Sequence, residues 1–293
     1  MTTFHLYQPA TWLRVAGSDA ATFLQGQFTN ELRGLGNPGV GGAVYGLWLN
    51  QKGRVLADSF VLRGAAVDEF WVGSYFSPAA LIRERLEAYI IADDVIVTDE
   101  TAGWQGASAL TDGAVAAPAG AMAFRGRRTR AGGAEWMFPR AAAPQVRAAL
   151  IAAGAREISA EEIERRRIAE GIPAVPADLG PGDLPNEGGL EADAISYTKG
   201  CYLGQEVMAR LKAMGQVRRR LVPVRGSGAV PARPAVLFQG EKKIGELRSA
   251  VAEVDGVGWA GLAMLTLLHL DRAAPLALAP GAEAEVTLAG KEV

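Results

Sequence analysis

Cys201 is the only cysteine in the chain, and it stands in the run Lys199-Gly200-Cys201-Tyr202-Leu203-Gly204-Gln205-Glu206. Val207, Met208, Leu211 and Met214 follow at helical spacing and Gly215 closes the run, so the cysteine precedes a predicted helix start. Backbone N–H groups and the helix dipole at such a place favour an anion. With Lys199 two residues away, the setting populates the thiolate. A thiolate is a nucleophile, a redox switch or a metal ligand; the alternative is a small buried apolar residue. From Lys199 to Arg220 six basic residues (Lys199, Arg210, Lys212, Arg218, Arg219, Arg220) stand against one acid, Glu206. That local excess suits carboxylates or phosphates, or else a solvated helix and strand edge.

One thiol excludes an internal disulfide, a Cys-based zinc site and an all-Cys iron–sulfur cluster held by one chain, since each needs several thiolates. His5 and His269 are the only histidines, which leaves little room for a multi-His metal site or a histidine triad. Thirty Lys and Arg against 32 Asp and Glu give a formal charge of −2. This argues against a sequence-independent grip on nucleic acid, so any anion site must be local. Gly34-Leu35-Gly36-Asn37-Pro38-Gly39 matches the dinucleotide fingerprint in form only: no strand precedes it, and Pro38 disfavours a following helix. Walker-type loops, zinc-protease motifs and G-x-S-x-G elbows are absent. The first residues show no basic stretch leading into an apolar run, and no run approaches the length of a membrane span. The expectation is a cytoplasmic, soluble protein with no membrane partner.

Elements that would position these residues follow from spacing. Strands are predicted at 11–17, 43–50, 55–63, 69–75 and 94–98, the second and third forming a hairpin about Gln51-Lys52-Gly53-Arg54. Ser18 is placed as the cap of a short helix through Gln25. Ser77 caps a second, with Pro78 at its first position. This order fits an α+β domain, helices on one side of a largely antiparallel sheet, rather than a strictly alternating parallel fold. Residues 111–120 are poor in packing side chains. Arg125, Arg127, Arg128 and Arg130 lie between two short strand candidates and read as a solvated hairpin face. Ser159 and Glu162 make a capping box for a helix through Glu170, with Arg165-Arg166-Arg167 on a solvated face. A Pro-, Gly- and acid-rich connection over 171–198 is long enough to be functional or mobile. Short strand-like runs at 221–225, 236–239, 244–248, 257–264 and 284–288 then predict a small C-terminal β-barrel.

The run KGCYLGQEVMAR, with FLQGQFTNEL at 23–32 and KGRVLADSFVL at 52–62, resembles the YgfZ family of folate-binding proteins, relatives of the glycine-cleavage T-protein. The resemblance implies a T-protein-like α+β body over 1–215, with antiparallel sheets and ferredoxin-like units around a central cleft. A further division falls near 100–115, and a β-barrel occupies 216–293. It implies binding of tetrahydrofolate or a one-carbon derivative, and a role in assembling or repairing iron–sulfur proteins, including cluster enzymes that modify transfer RNA. Iron–sulfur proteins or assembly factors would be the partners. Any cluster would be shared with a second chain or a small thiol, because one thiol cannot hold it. Cys201 falls on the functional thiol, and Lys199, Gly200, Tyr202, Gly204, Gln205 and Glu206 on the surrounding motif. Asn30 and Arg210 join them as folate-binding candidates, the basic residues from Arg210 onward facing a glutamate tail or an anionic partner. Asp58 lines up with the second aspartate of the T-protein's Asp-Asp pair, where a carboxylate can steer proton transfer. This keeps a folate-dependent aminomethyl or methyl transferase open as the alternative. Ala57 replaces the first aspartate, and Ala169 stands where the relatives' Arg-x-Glu-x-Gly glutamate is expected. Glu170 or Glu187 must then serve as the pterin carboxylate. Direct contact with transfer RNA through the arginine clusters is a third, weaker expectation.

Overall fold

The computed structural model describes residues 2–36, 42–110, 117–254 and 256–289. The last three residues of the discarded fingerprint, Asn37, Pro38 and Gly39, lie outside them, as does most of the 111–120 stretch. In chain order the first half runs β1 (Thr3–Tyr7), β2 (Thr11–Ala16), α1 (Ala20–Gln27), β3 (Ala43–Leu49), β4 (Val55–Arg63), β5 (Glu69–Ser74), α2 (Ala79–Glu87) and β6 (Ile96–Asp99). It continues with β7 (Trp104–Leu110), β8 (Met122–Arg125), β9 (Ala134–Pro139), α3 (Ala143–Ala152), β10 (Arg156–Glu157) and α4 (Ala160–Ala169). After the long connection come α5 (Glu191–Ala194), α6 (Gln205–Met214), β11 (Arg219–Ser227), β12 (Ala235–Gln239), β13 (Lys242–Ala252), β14 (Gly258–Thr266) and β15 (Val286–Leu288).

Among the described residues three five-stranded sheets form, ordered β3-β4-β5-β2-β6, β10-β1-β7-β9-β8 and β12-β13-β14-β11-β15. Alternation along the strands decides their faces. In β2 Leu13 and Val15 turn to α1 and α2, whereas Trp12 turns the other way; Val61 and Phe60 in β4 divide likewise. In β9 Trp136 and Phe138 meet α3, while Met137 joins Trp12, Phe60 and Trp71 between the sheets. The body is therefore four layers, helix, sheet, sheet, helix, with an aromatic core in the middle. Fully buried aliphatics such as Leu13, Val61 and Val72 each contribute about 1.5–3 kcal/mol to holding the layers together. Strand β1 pairs with β7 and β10, so a cut near 100–115 leaves it on the far side from its own sheet.

The third sheet closes on itself. Phe238 of β12 bridges Ala277, and Leu276 bridges Val286 of β15, so the 276–277 segment joins the two edge strands into a barrel. Ile168 of α4 packs against Val251, Ala260 and Leu262 of the barrel. Two predicted caps are replaced. Asp19 stands at the N-cap of α1, and Ser18 instead donates to the Asp94 carboxylate at 2.8 Å. Pro78 is the N-cap of α2, and Ser77 points into the body. Ser159 does cap α4, accepting the N–H of Glu162 at 3.1 Å. Among the described residues no helix is long and apolar enough to cross a membrane.

Candidate ligand cavity and signature cysteine

A cavity of about 490 Å³ opens at the seam where the edge strand β3 of one sheet approaches the edge strand β8 of the other. Tyr45 and Phe60 form one wall, the 125–132 hairpin another, and Gly171–Pro173 with the 188–193 turn close it. Its size falls in the range of small-molecule sites. The hairpin divides its arginines. Arg125, Arg127 and Arg130 line the cavity against one acid, Asp193. Arg128 turns inward, 6% exposed, over the rings of Tyr75 (3.8 Å) and Tyr7 (4.7 Å), with its Nε donating to Ser108 at 3.3 Å. The predicted solvated face holds for Arg125 and Arg130, which are exposed, and is corrected for Arg128, which turns into the core. Arg127 lies 4.1 Å from the centre of the Tyr45 ring and its Nη1 donates to Asp193 Oδ2 at 2.8 Å. Arg130 is tied through its backbone N–H to the Glu170 carboxylate, and its Nε donates to the Glu170 carbonyl at 2.7 Å.

Asp58 stands behind this wall. The hydroxyls of Ser74 (2.7 Å), Ser77 (2.8 Å) and Tyr45 (3.0 Å) all donate to its carboxylate. Burial raises its pKa, and the three hydroxyl hydrogen bonds oppose that rise. Asp58 does not line the cavity and reaches it only through Tyr45. Asn30 likewise braces the wall: its amide donates to the Tyr45 carbonyl at 2.8 Å and to the Asp193 carbonyl at 3.0 Å.

Glu187 lies apart from this cavity. It is 4% exposed and outside the cavity lining. Arg219 grips it with Nε and Nη2 at 3.0 and 2.9 Å, and the N–H of Leu184 donates to it at 2.8 Å. Neighbouring Asp183 is shared by Arg219 at 3.1 Å and Arg248. Asp183 and Glu187 of the long connection are thus fastened to barrel arginines. Arg167, predicted on a solvated face, is 2% exposed, its Nη1 donating to the fully buried Asp178 at 2.6 Å. Ser249 of β13 completes that network, accepting from Arg167 at 3.0 Å and donating to Asp178 at 2.6 Å. Of the two proposed pterin acids, only Glu170 hydrogen-bonds to a cavity arginine.

The signature run sits elsewhere, and none of Lys199–Arg210 lines the cavity. Lys199 points inward, its ammonium donating to the carbonyls of Gln25, Phe28 and Asn30 at 2.7–2.8 Å, where α1 ends. Burial pushes that ammonium down to about 8, while the three carbonyls occupy all its donors. It is therefore turned to α1 rather than held for the cysteine or a ligand. Tyr202 is buried with Leu49, Val55 and Met208. Gln205 accepts from the Tyr202 N–H at 3.3 Å. Gly204 has φ +88°, and a Cβ there would stand 2.9 Å from the Asn50 carbonyl oxygen, so only glycine lets α6 start this close to the β3–β4 turn. Glu206 and Arg210 pair with each other on an exposed face at 3.2 Å, and Gly200 is exposed too. Cys201 is left as an exposed thiol on the loop leading into α6. Among the described residues no group of three or more His, Cys, Asp or Glu side chains is arranged to hold a metal ion.

The chain is 33% identical over 283 residues to the human mitochondrial iron–sulfur cluster assembly factor IBA57, covering 87% of this chain and 75% of that protein. It is 36% identical over 110 residues to the tRNA-modifying protein YgfZ of Serratia proteamaculans, 36% of this chain and 33% of that one. The glycine cleavage system aminomethyltransferase T of Bartonella henselae superimposes with a TM-score of 0.74 at 16% identity, over 98% of this chain and 85% of that chain. This shows the T-protein-like fold. The model of the CAF17 C-terminal β-barrel domain matches residues 218–292. With its T-protein-like body and C-terminal barrel, the chain belongs to the family of the iron–sulfur cluster assembly factor IBA57.

Proposed function

We propose that this chain binds a reduced folate in the arginine-walled cavity and acts in the assembly or repair of iron–sulfur proteins, with Cys201 as its functional thiol. The observation that carries the folate reading is the cavity itself: about 490 Å³, faced by Tyr45 and Phe60, with three guanidinium groups against one carboxylate. A folate offers a flat ring system for the aromatic wall and carboxylates for the arginines. The assembly reading is supported by the kinship with IBA57. The thiol's exposure lets it meet a partner protein. As the chain's one cysteine, it would share a transferred cluster with ligands from that partner. An effect on transfer RNA would follow through cluster-dependent enzymes. Direct phosphate contact is poorly served, because Arg128 and Arg167 are buried. Aminomethyl transfer is the lesser reading, since the carboxylate of Asp58 already accepts from three hydroxyls behind Tyr45.

Anaerobic calorimetry with tetrahydrofolate tests the first half: one saturable site is expected, weakened about tenfold in Arg125→Ala by loss of a charged contact. Cys201→Ser tests the second half, leaving folding and folate affinity unchanged while abolishing complementation of the cellular role. No binding at high folate concentration overturns the ligand, and full complementation by the serine variant overturns the thiol.

A further inference from the structure

We infer that Asp193 is a built-in stand-in for a ligand carboxylate, seated on Arg127 until a glutamate-bearing ligand displaces it. The inference rests on the reading of the cavity as a folate site and adds which residue takes the tail and what competes for it. The three cavity arginines differ in what holds them. Arg130 is bound to Glu170 through its backbone N–H and Nε. Arg125 donates to a neutral group, the Ala131 carbonyl, at 3.0 Å. Arg127 alone of the three makes a salt bridge inside the lining, and its partner is itself a lining residue.

The two halves of that salt bridge are unequally fixed. The guanidinium of Arg127 rests on Tyr45, whose hydroxyl is anchored on Asp58 and whose carbonyl is anchored on Asn30. A guanidinium lying over a ring whose hydroxyl and backbone are both tied is restrained by that contact. The Asp193 side chain is 57% exposed, against 22% for Arg127, and its contact is the single one from Nη1. A guanidinium has five donors and accepts a carboxylate best in a two-point fork, so a single contact leaves room for a better partner. Exposed pairs of this kind contribute little stability, which makes exchanging one carboxylate for another cheap. Backbone placement does not depend on the charge, because Asn30 holds the Asp193 carbonyl. Asp193 is thus a specificity-setting residue acting through Arg127: it raises the threshold for ligands whose tail carboxylate must displace it and leaves ligands without one unaffected.

The test is calorimetry with three probes: tetrahydrofolate, 4-aminobenzoylglutamate (the tail alone) and tetrahydropteroate (the ring system without glutamate). Asp193→Asn should bind the first two about two- to fivefold more tightly, the range expected for relief of one exposed pair. It should leave tetrahydropteroate unchanged, and Asp193→Glu should restore wild-type affinities. In an Arg127→Gln background the gain from Asp193→Asn should vanish, whereas a merely structural effect of the asparagine would persist. Equal affinities in wild type and Asp193→Asn, or an equal gain on the probe lacking glutamate, overturn the inference. If tetrahydrofolate binds while aminobenzoylglutamate ignores Asp193, the stand-in falls and the folate site stands. If Asp193→Asn gains affinity for the tail probe while tetrahydrofolate binds no variant, the stand-in holds and the folate site falls. Failure of all three probes on both chains removes both.

Discussion

Two groups of arginines in this molecule do opposite things. Arg167, Arg219 and Arg248 meet Asp178, Asp183 and Glu187 where the long connection is pressed against the barrel. There the acids are buried and each is held by at least one arginine. Arg125, Arg127 and Arg130 meet open space across from β3, with Asp193 as the one acid of the lining. The same side chain is a fastener in the first place and a cavity wall in the second, and the difference lies in how many carboxylates the fold brings to it. The acids also sort themselves accordingly. Glu187, which the resemblance puts forward as a pterin carboxylate, belongs to the fasteners, whereas Asp193, which has no part in the motif, belongs to the cavity.

The sharpest way to break this contrast is at the buried end. Arg167→Ala leaves Asp178 fully buried without its cation, and should cost about 3–5 kcal/mol in denaturant unfolding. Replacing Arg167 and Asp178 together by Met and Leu should recover most of that loss, since a buried pair is weak evidence of net stabilisation. A cost below about 1 kcal/mol for the single change would mean that Arg167 fastens nothing.

Glu187→Gln should be milder, about 1.5–3 kcal/mol, because the charge-assisted bonds to Arg219 are lost while Asp183 still holds that arginine. Tetrahydrofolate affinity should stay within about twofold of wild type, well inside the effect of a single lost hydrogen bond. A fall in affinity without a matching fall in stability would move Glu187 from the fasteners to the ligand site.

The smallest effect concerns Asp58, behind the cavity wall. Its folded pKa is raised by burial above the ordinary 3.8, so folding takes up a proton in the window between 3.8 and the folded value. Stability from this group therefore rises as pH falls through that window, and at neutral pH the ionised carboxylate costs stability. Unfolding measured against Asp58→Asn should show wild type gaining on the variant as the solution is acidified through that window. The opposite slope would mean that the three hydroxyls outweigh burial.

Legibility in the sequence followed the range of the interactions. The β3–β4 hairpin, α4 with its serine cap, α6 between Gly204 and Gly215, and the barrel strands are written in local alternation, caps and glycines. Strand β7 escaped because Gly106, Ala107, Ser108 and Ala109 carry little β preference. Strand β1 finds its partners more than a hundred residues away in β7 and β10, a pairing no local pattern announces. The site was harder still. Arg127 meets Asp193 across 66 positions, Arg167 meets Ser249 across 82, and Lys199 reaches Asn30 across 169.

The sequence by itself determined an α+β body followed by a β-barrel, a single thiol placed just ahead of a helix, and a kinship with the relatives of the T-protein. Alternation, capping and a glycine-bounded motif are short-range properties that survive without tertiary context. Only the tertiary structure decided which arginines face a cavity, which acids neutralise the others, and that Lys199 serves the end of α1. Charge pairing and burial depend on distances between segments far apart in the chain, and those distances exist only once the layers have packed.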